Sequence, residues 1–164
     1  MLVPPDADDS WVGLCADVLP VDEVRRWTAT ADCGALVVFT GLVRDHSEGR
    51  PDVRSLSYEA YEEHATGAIA AVVADARRRW PAIRRVAALH RVGTLAVGDD
   101  AVVVAVASPH RAEAFAAASF CIDAVKATVP IWKYEAWADG EAWGTCSHAL
   151  AAEPEPHHAE AGSR

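Results

Sequence analysis

Lysine is nearly missing from this 164-residue chain. Only Lys126 and Lys133 stand among 15 basic residues, and the other 13 are arginine. Long apolar runs are missing too. No stretch reaches the roughly 18 apolar residues of a membrane-crossing helix, so no transmembrane segment is expected. The opening MLVPPDADDS has no basic stretch followed by an apolar one. It does not read as a secretory leader, and a cytoplasmic location is expected. The four cysteines, Cys15, Cys33, Cys121 and Cys146, are scattered without a CxxC pair. Free thiols are therefore expected, with neither a disulfide framework nor a metal site. No GxGxxG and no other glycine-rich phosphate loop follows a strand-like run, which argues against mononucleotide and dinucleotide folds, and no cofactor is expected. No internal repeat occurs.

Positive charge is also in short supply. Fifteen basic residues face 24 acidic ones, a formal charge of −9. That excludes a general binder of nucleic acid or of an anionic membrane surface. The acids are concentrated at the ends: residues 1–10 and 151–164 hold six of them against one base. Both ends read as disordered on composition, with Pro4, Pro5, Asp6, Asp8 and Asp9 at one and AAEPEPHHAEAGSR at the other. The expected organisation is a disordered 1–10, one domain over 11–148, and a disordered acidic tail over 149–164.

Between the ends, periodicity reads as β-α-β-β-α-β-β-α-β-β. Strands are expected at 11–19, 34–43, 53–59, 84–92, 101–107, 130–134 and 142–146. Helices are expected at 21–30, at 60–80 (closed by Pro81) and from Ser108-Pro109 to about Ala127. Gly93–Asp100 reads as a turn. Hairpins mixed with helices argue for an α+β fold with a mostly antiparallel sheet rather than a doubly wound one.

The candidate chemistry starts from the two lysines. At 100° per residue, Phe115, Ser119, Ile122 and Lys126 share one side of the third helix, with Lys126 near its end. A lysine there can be an ordinary one that complements the helix dipole. In a chain that uses arginine for nearly every other cation, a retained ammonium points to proton chemistry or attack on a carbonyl, which guanidinium cannot do. Lys133 follows Pro130-Ile131-Trp132, and the chain reversal brings it back toward Lys126. Its alternative reading is an edge-strand lysine that discourages aggregation. Ser108-Pro109-His110-Arg111 opens the third helix, where free N–H groups, an imidazole and a guanidinium suit an anion. The alternative there is that Ser108 merely caps the helix. Arg44, at a strand end beside a polar loop, is a further anion-binding candidate. His90-Arg91 reads as structural, and Arg77, Arg78, Arg79, Arg84 and Arg85 read as a solvated face. His110-Arg111 and Lys126 lie about 22 Å apart along one helix. If both ends serve one small ligand, a second copy must supply one of them, which motivates a two-fold dimer with shared sites.

Four segments, GALVVFTGLVRDHSEGR (34–50), LSYEAYEEHA (56–65), LHRVGTLAVGDDAVVVAVASPHRAEAF (89–115) and IDAVKATVPIWKYE (122–135), resemble the large, catalytic subunit of molybdopterin synthase, the MoaE family. The resemblance implies an α/β-hammerhead fold with a small added antiparallel sheet. It also implies a homodimer in which each subunit binds a small ubiquitin-like sulfur carrier of the MoaD type. The carrier's C-terminal Gly-Gly thiocarboxylate would enter the pocket, and sulfur would pass to cyclic pyranopterin monophosphate to give the molybdopterin dithiolene. It implies catalytic roles for Lys126 and Lys133 and substrate-binding roles for Arg44, His110 and Arg111, the last two reaching the site of the neighbouring subunit. The chain departs from the family pattern after Trp143, where Gly144-Thr145-Cys146-Ser147-His148 stands in place of a segment with a basic residue. Three other readings stay open on the residues alone: a non-enzymatic adaptor for a ubiquitin-like tail, a lysine-dependent enzyme acting on another phosphorylated substrate, and a small anion-binding structural protein.

Overall fold

A computed structural model describes residues 2–47 and 51–143. Eight strands and three helices follow one another as β1 (Ser10–Cys15), α1 (Val21–Thr28), β2 (Ala35–Leu42), β3 (Val53–Ala60), α2 (Glu62–Arg79), β4 (Val86–Arg91), β5 (Gly93–Ala96), β6 (Asp100–Ser108), α3 (Arg111–Thr128), β7 (Ile131–Trp137) and β8 (Gly140–Trp143). They form two four-stranded sheets, in the orders β1-β4-β6-β2 and β5-β3-β7-β8. Every strand pair is antiparallel except β1 with β4. The expected α+β class, with a mostly antiparallel main sheet and a smaller antiparallel one, is what the chain adopts.

The near-continuous apolar run of β6 is explained by its position. Val102, Val104 and Val106 turn to the face covered by α2 and α3, where they meet Ile69, Val73, Ala117 and Cys121. Val103 and Ala105 turn to the other face, under α1, with Trp11, Val24 and Leu89. A strand covered on both faces has no reason to alternate in polarity. The small sheet has its own core of Val43, Val53, Leu56, Leu95 and Ala101.

Three differences from the sequence reading have physical causes. The four-residue β5 was read as part of a turn. It is short and mostly exposed, and it becomes a strand because β3 supplies its hydrogen bonds, Leu56 opposite Leu95 and Tyr58 opposite Gly93. Residues 2–10, acidic and proline-containing, are held by contacts that composition does not reveal. The Trp27 indole donates to the Pro5 carbonyl at 3.2 Å, and Arg77 and Arg85 pair with Asp9. Third, Ser108 does not cap α3. It is the last residue of β6, paired with Ala35, and His110 takes the cap position without a side-chain cap bond. The expected tail over 149–164 lies outside the described residues.

Candidate functional site

A cavity of about 710 Å³ lies where the two sheets meet the C-terminal end of α3. Its wall takes one segment from each neighbour: the end of β2 and the loop after it, β3, the end of β4, the start of β6, the last turns of α3, and β7. Both lysines of the chain, Lys126 and Lys133, line it, and so does Arg44.

Each of the three cations is placed by a local device. Lys126 stands in the last turn of α3, where its charge complements the helix dipole. Pro130 ends the helix, and a tight turn with Ile131 N–H donating to the Val129 carbonyl at 2.8 Å launches β7 straight back past it. On β7 the two-residue period puts Ile131, Lys133 and Glu135 on the cavity face, while Trp132 points outward. Arg44 follows Val43, whose backbone is bracketed by the β5–β6 turn. Val43 N–H donates to the Asp99 carbonyl at 3.0 Å, and its own carbonyl accepts from Gly98 N–H at 2.8 Å. Gly98 has φ +92, a left-handed conformation that glycine adopts without strain. Asp99 in turn holds Arg91 at 3.1 Å, so a Gly-Asp turn distant in sequence fixes where Arg44 emerges.

The charge balance inside the cavity is uneven. Lys133 Nζ meets Glu135 Oε1 at 2.5 Å, and Ser47 Oγ donates to Glu135 Oε2 at 2.8 Å. Glu135 is only 2% exposed, so its carboxylate is held by protein contacts, these two among them. No carboxylate of a described residue lies within ion-pair distance of Arg44 or Lys126. These two therefore supply the field that an anion entering the cavity would meet.

The structure does not bring all candidates together. His110 and Arg111 are exposed at the start of α3, while Lys126 is in its last turn. Eighteen helical residues span about 27 Å, so neither reaches the cavity of its own chain. The side of α3 that Lys126 shares is also not the core side. Phe115 is 64% exposed and Ser119 is exposed, and only Ile122 of that row is buried. The core side is the row of small residues Ala114, Ala117, Ala118 and Cys121, which lets the helix lie close on the sheet. Phe115 and Ser119 instead border a second, open hollow of about 370 Å³ against Val37, Val38 and Phe39 of β2. His148 lies outside the described residues.

Two cavity residues escape sequence reasoning. Glu135 carried a signal, since its position two residues from Lys133 on a strand puts both on one face. His90, read as structural, stands next to last in β4, inside the cavity wall, with 9% of its surface exposed. Burial pushes its pKa down to about 4. Cys121, by contrast, is a core thiol whose burial pushes it up to about 12, which keeps it protonated and unreactive. Among the described residues no group of three or more His, Cys, Asp or Glu could hold a metal ion. No described helix is long and apolar enough to cross a membrane.

Similarity to known proteins decides the family. Residues 14–128 match the MoaE protein family. The chain belongs to the MoaE family. It is 42% identical over 149 residues to a molybdopterin synthase catalytic subunit of Nostoc, covering 88% of this chain and 89% of that protein. It is 38% identical over 132 residues to the human molybdopterin synthase catalytic subunit, covering 80% of this chain and 69% of that one. Among solved structures, molybdopterin synthase from Staphylococcus aureus superimposes with a TM-score of 0.76 at 36% identity, over 81% of this chain and 96% of that one. The MoaE match includes β2 through α3 and so contains Arg44, His90, His110, Arg111 and Lys126, while Lys133 and Glu135 follow its end.

Proposed function

We propose that this MoaE-family chain is the catalytic subunit of molybdopterin synthase. In this reading it transfers sulfur from the C-terminal thiocarboxylate of a small ubiquitin-like carrier subunit to cyclic pyranopterin monophosphate, forming the dithiolene of molybdopterin. The observation that carries the proposal is that the only two lysines of the chain, separated by a helix end and a proline, line one cavity together with Arg44.

The charges suit the reaction. A thiocarboxylate is anionic, and Lys126 at the cavity wall attracts it and stabilises the negative charge that develops when its carbonyl is attacked. An ammonium also exchanges protons with sulfur and oxygen during transfer, which guanidinium does not. Lys133, held by Glu135 at 2.5 Å, has a fixed position from which to contact the pterin. Arg44 offers a planar fork to the substrate phosphate. His110 and Arg111 complete the phosphate site of a neighbouring copy in a homodimer, a role supported by their exposure and their distance from their own chain's cavity.

The deciding experiment mixes the protein with a thiocarboxylated carrier and cyclic pyranopterin monophosphate and follows dithiolene product. Product that depends on all three components supports the proposal. Carrier binding without product, with wild-type protein and verified thiocarboxylate, refutes it in favour of a non-enzymatic adaptor.

A further inference from the structure

β4 (Val86–Arg91) is buried from Val86 to His90, and His90 is its single buried polar residue. Its ring is held on two sides. Nδ1 lies 2.7 Å from the Arg91 carbonyl oxygen, and the ring packs edge-on against Tyr58 with centroids 5.1 Å apart at 76°. A carbonyl only accepts, so Nδ1 carries the proton and Nε2 carries the lone pair. Nε2 has no hydrogen-bond partner among the described residues, and the part of the ring left exposed belongs to the cavity wall.

The rest of that wall is rich in donors. Arg44, Lys126 and Lys133 only donate, and Glu135, the cavity's carboxylate, is occupied by Lys133 and Ser47. Burial keeps the His90 ring neutral, against the opposing pull of the Arg91 carbonyl on its proton. A fused ring system carrying N–H groups needs acceptors, and Nε2 of His90 is one that no described residue occupies, beside the hydroxyls of Thr40, Ser47 and Tyr58 on the same wall.

We infer that His90 is a further substrate-binding residue, whose Nε2 lone pair accepts a hydrogen bond from an N–H of the pterin ring system and fixes its orientation. The inference rests on the proposed function and adds a specificity element to the same cavity. It explains why a polar ring, rather than another valine or leucine, follows Leu89 in β4.

The test compares H90F, H90Q and H90N with wild type in the three-component assay. H90F keeps the ring packing and removes the acceptor. H90Q places an amide oxygen near the position of Nε2, and H90N turns its NH2 to the Arg91 carbonyl, its shorter amide oxygen stopping short of the position of Nε2. Loss of one buried hydrogen bond raises the KM for the pterin substrate about 10- to 100-fold in H90F and H90N, with kcat and carrier affinity little changed. H90Q recovers most of the loss. If H90F fails to fold by circular dichroism, H90N serves as the variant with no acceptor at the position of Nε2. The assignment is overturned if the variant lacking that acceptor has the wild-type KM, or if H90Q is as impaired as H90N. It is also overturned if kcat falls while KM stays put. Wild-type protein that makes no product overturns the proposed function and this assignment together, whereas normal wild-type turnover with an unaffected H90F overturns the assignment alone.

Discussion

Lys133 and Glu135 stand two residues apart on β7 and form an ion pair of 2.5 Å on the cavity face, with Ser47 donating to the same carboxylate from the loop after β2. The pair ties one lysine to the small sheet and that loop to β7. Lys133→Ala would remove the cation that pairs with Glu135, 2% exposed, at 2.5 Å. The cost is a weaker compensation of a buried charge, about 2–3 kcal/mol. Lys133→Met should be less destabilising in the double variant with Glu135→Gln than alone, because no charge is then left buried. Urea denaturation of the two singles and the double measures the coupling.

Lys126 behaves differently because it is exposed and no described carboxylate pairs with it. Lys126→Ala should leave unfolding stability within about 0.5 kcal/mol of wild type. Product formation should fall by at least about 100-fold, the typical scale for loss of a proton-transfer group. Lys126→Ala should leave carrier binding largely intact, and Lys126→Arg, which keeps the charge, should not restore turnover. Near-normal turnover of Lys126→Arg would show that charge alone suffices there.

His90 makes stability depend on pH with a definite sign. Its pKa in the folded protein is about 4, below the ordinary 6.5, so the unfolded chain binds the extra proton between these values. Stability is therefore full above about pH 6.5 and is lost as pH falls toward 4. The His90 contribution to the drop between pH 7 and pH 5 is about 2 kcal/mol. Urea midpoints of wild type and H90Q at the two pH values isolate it: the wild type should lose more stability than the variant by this amount.

How much of this was legible in the sequence depends on where the information sits. β6 and the ends of α2 and α3 follow from apolar runs, prolines and charge order, all local signals. β5 has no local signal, since its four residues become a strand only against β3. The approach of Lys133 to Lys126 was legible because Pro130 forces the chain to reverse. The position of Arg44 was not, because it is set by backbone bonds from Val43 to Gly98 and Asp99, more than fifty residues away. The helical period places Phe115, Ser119, Ile122 and Lys126 in one row but does not say what that row meets. It is open in the single chain, and the alanine row beside it does the packing.

Gly34 is a stability test of the connection between β6 and α3. A Cβ at Gly34 would sit 2.9 Å from the Pro109 carbonyl oxygen, a backbone atom that cannot swing aside. Gly34→Ala should therefore cost about 1–3 kcal/mol and displace the start of α3, where His110 and Arg111 stand. Gly67, on the exposed side of α2 with open space around it, is the control: Gly67→Ala should stabilise by about 0.5–1 kcal/mol. Thermal melts of the two variants give the comparison.

The distance between Arg111 and Lys126 on α3 predicts complementation between defective copies. If each active cavity takes Lys126 from one chain and Arg111 from its neighbour, Lys126→Ala and Arg111→Ala homodimers are both defective at both sites. A mixed dimer carries one site with both substitutions and one with neither. Random pairing makes about half the dimers mixed, and half their sites are intact, so co-expressed variants should recover about one quarter of wild-type activity. Separately purified variants, combined in the assay without subunit exchange, should stay near background. The double variant K126A/R111A co-expressed with wild type should give about half of wild-type sites intact across all dimers if sites lie within one chain, and about one quarter plus no rescue of the defective partners if they are shared. Activity in the co-expressed single variants that never rises above that of either one alone would place Arg111 outside the reaction site.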